Sequence, residues 1–150
     1  MIKKTNKMTM EKSQEQKRFN MIEQQIRPWE VLDPVTLNLL KLIPRENYIP
    51  LVNQGLAFAD LEIPLGHNEK MLSPKLEARI IQSLNLKKSD QVLHVGTGSG
   101  YFSALLSGLS LSVITLDIHI EFIERARDLH RRHKLSNIFY QHHNGLLGWK

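Results

Sequence analysis

The chain has 150 residues, 41% of them hydrophobic and 23% charged, with a formal net charge of +5 and no cysteine. That length suits one domain with a real core, and the missing thiols exclude disulfides, thiolate metal sites and a cysteine nucleophile. No apolar run approaches the roughly 20 residues that cross a bilayer. The charged N-terminus lacks the apolar segment of a signal peptide, so a cytoplasmic protein with no membrane contact is expected.

Residues 1–14 are polar and are expected to form a disordered tail. From Ser13 the pattern turns helical, with Phe19, Ile22 and Ile26 on one face and Pro28 ending the run. Asp33-Pro34 reads as an N-cap followed by proline at the first helical position, opening a helix whose apolar side is Leu37 and Leu40 with Leu39 or Ile43. Residues 44–66 are broken by Pro44, Pro50, Gly55, Pro64 and Gly66 and are expected to be an irregular, functional loop. Ser73-Pro74 repeats the cap-plus-proline pattern. The helix that follows is expected to turn Leu76, Ile80 and Leu84 inward, with Ile81 beside them.

From residue 91 the periodicity changes. Residues 92–95 read as a short buried strand, 101–109 as a helix and 112–117 as a β-branched strand. Residues 120–133 read as a helix with Phe122, Ala126 and Leu129 inward and a Glu121–Arg125 pair outside, and 138–141 as a third strand. Such alternation predicts a parallel sheet with right-handed crossovers. The domain plan is therefore a tail over 1–14, a helical N-terminal arm and loop over 15–88, and the first half of an α/β domain over 89–150.

The basic residues fall in two groups, Lys3, Lys4, Lys7 and Lys12 in the tail, and Arg125, Arg127, Arg131, Arg132 and Lys134 near the last helix. The second group alternates with Glu121, Glu124 and Asp128 and carries no interleaved aromatics, so it reads as a solvated helix face and nucleic acid is not expected as a partner. His130 with His133 and His142 with His143 lack a further ligand at a clear spacing, so no metal is expected.

Chemistry concentrates at Gly96-Thr97-Gly98-Ser99-Gly100, a glycine turn between a strand and a helix. Backbone N–H groups at such a turn can approach a nucleotide-like ligand. Asp117, at the end of the next strand, can accept both hydroxyls of a ribose or cap the helix that follows. Only one residue separates the second and third glycines, which fits a ligand without a pyrophosphate.

The chain resembles the N-terminal part of the protein-L-isoaspartate O-methyltransferases, within the S-adenosylmethionine-dependent methyltransferases. The resemblance rests on Met21-Ile22-Glu23-Gln24-Gln25-Ile26-Arg27, Asp33-Pro34, Pro44-Arg45-Glu46, Ala57-Phe58-Ala59-Asp60, Pro64-Leu65-Gly66-His67, the glycine turn, and Asn144-Gly145 with Gly148-Trp149. It implies a Rossmann-like methyltransferase sheet, here incomplete with the first three parallel strands, and S-adenosylmethionine as cofactor. By resemblance Gly96, Thr97, Gly98, Ser99 and Gly100 form the cofactor turn. Asp117 would hold the ribose, Ile118 would pack on the adenine, and Asn144 stands where an Asp usually reads the adenine amino group. The implied reaction is methyl transfer to isoaspartyl carboxylates of damaged proteins or peptides, a protein-repair role.

The chain departs from the family pattern in several places. His94 stands where an acid is usual and is expected to be a satisfied, partly buried histidine. In the substrate-side loop Lys70 and Leu72 replace a Thr and a Ser, and Leu72 cannot donate a hydrogen bond; Ser73 is one position along. Lys70 could draw in an anionic substrate or be a plain loop lysine. The chain also reads as truncated after the third strand, which leaves a sheet edge open. Three readings follow: a methyltransferase whose activity the truncation and Leu72 impair, a noncatalytic remnant serving as an interaction module through self-association at that edge, and a methyltransferase with another substrate.

Overall fold

The computed structural model describes residues 2–148, with side chains from Met8 onward. Helix α1 spans Ile2–Met21, so the helix reaches back through residues expected to lack order. The stretch has neither glycine nor proline and is rich in Lys, Glu, Gln and Met, all good helix formers. From Met8 to Asn20 its side chains are mostly exposed, Phe19 among them, against expectation. A π-helical turn over Ile22–Ile26 and a 3-10 turn over Arg27–Trp29 follow directly. This change of pitch puts Met21, Ile22 and Ile26 into the core. Arg18 fastens the arm through an ion pair with Glu46 and a hydrogen bond to the Lys41 carbonyl at 3.0 Å.

Helix α2, Pro34–Leu42, has the expected cap: Asp33 accepts from Thr36 N at 2.8 Å and from its hydroxyl at 2.6 Å. Leu37, Leu39 and Leu40 are buried. Two 3-10 turns, Arg45–Tyr48 and Leu51–Leu56, occupy the expected loop. It ends in a hairpin that the sequence reading did not contain, with β1 (Ile63–Gly66) antiparallel to β2 (Glu69–Met71). His67 and Asn68 form its two-residue turn, both in the left-handed region at φ 52° and 60°, the backbone a type I′ turn requires.

Helix α3, Pro74–Leu84, turns a different face inward from the expected one. Pro74, Glu77, Ala78 and Ile81 are buried, whereas Leu76 and Leu84 are each 46% exposed. The cause is a charged pair in the core. Arg45, 1% exposed, pairs with Glu77 and donates to the carbonyls of Ala57 at 3.1 Å and Leu72 at 2.7 Å. Its guanidinium also lies over the Tyr101 ring at 5.3 Å. Ser73 holds the N-cap position without a side-chain capping bond.

Strands β3 (Gln91–Val95), β4 (Ser112–Asp117) and β5 (Ile138–His142) form a parallel sheet in that order. Helices α4 (Tyr101–Ser107) and α5 (Ile120–Arg132) make the crossovers. Because the strands advance in one direction, right-handed crossovers put both helices on one face. Phe122, Ile123, Ala126 and His130 are buried there, and Leu129 is half-buried. Glu121 faces His67 at 3.8 Å rather than Arg125. On the other face Leu93 and Phe139 are exposed, in register through Ile114. Strand β3 is thus not the buried strand expected; it is an edge among the described residues, with Val95 57% exposed. One contiguous core runs from Met21 to Ile138 and joins the arm to the sheet.

Candidate functional site

The end of β3 and the end of β4 build the site together. Where β3 stops, Gly96 N and Thr97 N both donate to Leu116 O, at 2.8 and 3.1 Å, so the turn is stitched to β4. Gly96 and Gly98 have φ of +92° and +52°, a region open to glycine at little cost. Thr97 turns its hydroxyl into the sheet, 2.8 Å from Thr115 Oγ1. Ser99 Oγ accepts from Tyr101 N at 3.2 Å and helps start α4.

Asp117 is 7% exposed and braces the turn. One carboxylate oxygen accepts from Gly98 N at 3.1 Å and the other from His119 N at 2.9 Å. The N-cap of α5 is His119, not Asp117, so the helix-cap role weighed from the sequence does not apply. Each carboxylate oxygen keeps a free lone pair for a ligand hydroxyl.

Below this turn lies a cavity of about 260 Å³, near the lower end for small-molecule sites. Gly96, Gly98, Asp117, Ile118 and Asn144 line it together with Lys70. Leu65, Phe122 and Leu146 add apolar wall, and Glu69 and His143 complete its polar rim. Asn144 Oδ1 accepts from Leu146 N at 3.0 Å, which holds the last 3-10 turn against the opening. A second cavity of about 140 Å³ adjoins the first, sharing Leu65, Lys70, Gly96 and Gly98 as walls. Thr97, Ser99, Met71, Leu72, His94 and Phe102 line its other sides, with Glu77, held by Arg45, also on its wall. Of the residues singled out from the sequence, Gly100 and Ser73 line neither cavity.

Gly100 has a packing role instead. At φ +84°, a Cβ there would meet Ala126 Cβ at 2.8 Å. His130, fully buried, lies 2.7 Å from the Gly100 carbonyl through Nε2 and 2.8 Å from the Tyr140 hydroxyl through Nδ1. His94 is a satisfied histidine, as expected: Nδ1 is 2.7 Å from Ser103 Oγ and 3.2 Å from Thr115 Oγ1. Burial pushes its pKa down to about 4, so the ring is neutral at pH 7. The remaining histidines considered for metal are also engaged, His133 with Asn47, His142 with the Ile118 carbonyl and His143 with the Gly148 carbonyl.

The hairpin closes over the cavities. Its tip residue His67 stacks on His119 at the start of α5, with ring centroids 4.1 Å apart, and both rings meet the edge or face of Phe122. Leu65 and Phe122 were placed by the sequence in a motif and a core face; their role as cavity wall needed the hairpin, which the pattern did not reveal. Lys70 Nζ lies 3.3 Å from Glu62 on the surface side.

The family model described as protein-L-isoaspartate(D-aspartate) O-methyltransferase matches residues 15–150. The chain belongs to this family. Curated relatives bearing the name protein-L-isoaspartate O-methyltransferase include those of Picosynechococcus sp., 33% identical over 132 residues, and Desulfosudis oleivorans, 34% identical over 135. These alignments take in 88% and 89% of this chain but 60% and 61% of the relatives, so the chain spans little more than half the length of its family members. Among solved structures, a protein of that description from Plasmodium falciparum in complex with S-adenosyl-L-homocysteine aligns with a TM-score of 0.67 at 19% identity, over 87% of this chain and 63% of that one. A second, titled protein-L-isoaspartate O-methyltransferase, gives 0.66 at 20% identity, over 88% of this chain and 42% of that one. These likenesses establish the Rossmann-like methyltransferase fold. Among the described residues no helix is long and apolar enough to cross a membrane.

Proposed function

We propose that the chain is an S-adenosylmethionine-dependent O-methyltransferase of the cytoplasm whose acceptor is the isoaspartyl carboxylate of a damaged protein or peptide. The observation that carries this reading is the pair of joined cavities meeting at Gly96 and Gly98. The larger suits the cofactor. Asp117 has the acceptor capacity for the ribose hydroxyls, and Ile118, Phe122 and Leu146 offer an apolar slot for the adenine. Backbone groups at Gly96 to Ser99 take the methionine end. When bound, the cofactor supplies an electrophilic methyl group on a cationic sulfur.

The smaller cavity suits the acceptor. A carboxylate is already ionised at neutral pH, so the chain need not supply a general base, and alignment with exclusion of water does most of the work. Leu72, Phe102 and Leu65 line this cavity with apolar surface and displace water from it. Lys70 is the one Lys or Arg lining either cavity among the described residues, and it takes the carboxylate-attracting role that Leu72 cannot fill. Calorimetric titration with S-adenosylhomocysteine tests the cofactor half, with Asp117→Ala expected to lose binding. Transfer of labelled methyl to an isoaspartyl peptide tests the other half, with Lys70→Gln expected to raise KM for the peptide. Failure of the parent chain to bind the cofactor refutes the reading.

A second reading, an interaction module, draws on the bare edge of β3 and the exposed side chains Leu93, Val95 and Phe139. Exposed apolar strands of this kind favour edge pairing. Self-association that rises with concentration and is lost in Leu93→Lys, followed by analytical ultracentrifugation, supports it; a monomer at all concentrations removes it.

A further inference from the structure

One of the basic residues read from the sequence as a solvated helix face, Arg125, is half-buried, and it shares a cleft with a second, the exposed Arg132. Arg125 and Arg132 stand seven positions apart on α5, on the same side as Leu129 and His133. Together they line a cleft of about 500 Å³ between α5 and the 3-10 turns that follow α2. Asn47 and Gln54 face them, over an apolar floor that includes Ile49 and Leu51. No Asp or Glu lines the cleft. Of the acids on the helix, Asp128 is paired with Arg131, Glu121 lies beside His67, and Glu124 is exposed and does not line the cleft.

Two residues of the cleft wall carry donors without hydrogen-bond acceptors, and the Arg125 guanidinium lies over the Phe122 ring, 5.4 Å from its centroid. Nε and Nη2 of Arg125 and the hydroxyl of Tyr48 are buried with no hydrogen-bond partner among the described residues. Natural structures leave few such groups, and each calls for an explanation. The helix dipole accounts for the cation at Arg132, in the last turn of α5. It does not account for Arg125, which sits in the middle of the helix beyond the reach of that effect. Burial also holds the Arg125 guanidinium below its ordinary pKa. Guanidinium groups bind oxyanions through paired, charge-assisted hydrogen bonds, and the volume falls in the range of small-molecule sites.

We propose that this cleft binds a phosphate group, free or carried on a small organic body, gripped by Arg125 and Arg132 with Asn47 and His133 at its rim. No residue lines both this cleft and the cavity at the glycine turn, so the site is separate from the one assigned to the cofactor, and the proposal stands whether or not the chain transfers methyl groups.

The test titrates the full chain with inorganic phosphate and with phenyl phosphate at constant ionic strength, following the Arg125 Nε–H signal by NMR and the thermal midpoint. Both probes are expected to shift the Arg125 signal and to raise the midpoint, as a ligand of the native state must. Tighter binding of phenyl phosphate assigns the apolar floor to an organic body; equal binding assigns the site to free phosphate. Arg125→Gln and Arg132→Gln are each expected to weaken binding about tenfold. Arg132 is exposed, so its substitution leaves the core intact and serves if Arg125→Gln does not fold. No response of Arg125 to either probe at millimolar concentration, or parental affinity in Arg132→Gln, overturns the proposal.

Discussion

The glycine turn divides into two functions, and Gly100→Ala against Gly96→Ala separates them. At Gly100 a methyl group would lie 2.8 Å from Ala126 Cβ, 3.2 Å from Ala126 Cα and 3.2 Å from His130 Nε2. The nearest atoms belong to a helix backbone and to a buried ring held at both nitrogens, so neither yields without moving α5 from α4. Forcing an L-residue to φ +84° costs about 1–2 kcal/mol, and overpacking at a rigid contact adds about 1–3 kcal/mol. Gly100→Ala is therefore expected to lose about 2–5 kcal/mol of stability. At Gly96, φ is +92° but no atom lies within 4 Å of the added methyl. Only the backbone term applies there, about 1–2 kcal/mol, while the methyl intrudes on the cavity of about 260 Å³. Urea unfolding of the two variants and the parent, with m-values compared to confirm the same transition, measures the difference. Calorimetric titration with S-adenosylhomocysteine then reads binding by the folded fraction. Gly96→Ala should lose affinity and Gly100→Ala should keep it. Equal stability of the two variants, or a Gly100→Ala loss under about 1 kcal/mol, well below the packing term, refutes the division.

Removing the α2 cap with Asp33→Ala should cost about 1 kcal/mol in the same unfolding assay; no change would mean that Thr36 finds another acceptor. Arg45→Met leaves Glu77 buried without its partner, and burial, which already holds its pKa up at about 7, then keeps it protonated; breaking the buried pair is expected to lose about 3–5 kcal/mol, and the doubly substituted Arg45→Met, Glu77→Leu chain should recover much of it. The pKa of His94 is depressed to about 4 from an ordinary 6.5 by burial. The unfolded chain therefore binds the proton more readily. Stability is full above pH 6.5 and falls as pH drops toward 4, by up to about 3 kcal/mol from this group. His130 is shifted downward as well, first by burial, and acts in the same direction. His94→Asn should flatten the pH dependence between 6.5 and 4, and an unchanged profile would sink the assignment.

The three strands of the parallel sheet and the Asp33 cap were legible because each carries a local cue. Ser112–Asp117 is β-branched, and the Asp33-Pro34 cap needs nothing beyond its own turn. The inward face of α3 was not legible, because Glu77 is buried by a partner 32 positions away and hydropathy reads it as solvent-facing. The hairpin escaped because Pro64 and Gly66 look like breakers, although Asn68 tolerates the φ that its turn demands. The glycine turn and Asp117 were found together from spacing, yet the split between cavity and packing glycines required the position of Ala126 on another helix.

The place of β4 has a kinetic consequence. It bonds to a neighbour on each side, and Val113, Thr115, Leu116 and Asp117 along it are buried, whereas among the described residues β3 pairs with a strand on one side only. Opening β3 leaves β4 and β5 paired, but opening β4 dissolves the sheet. Amide protons of β4 should thus exchange only through global unfolding, while outward-facing amides of β3 exchange through local opening. The same asymmetry couples the turn to the sheet: Gly96 and Thr97 hang from Leu116, so the most protected strand, not the one that precedes the glycines in the chain, holds them in place.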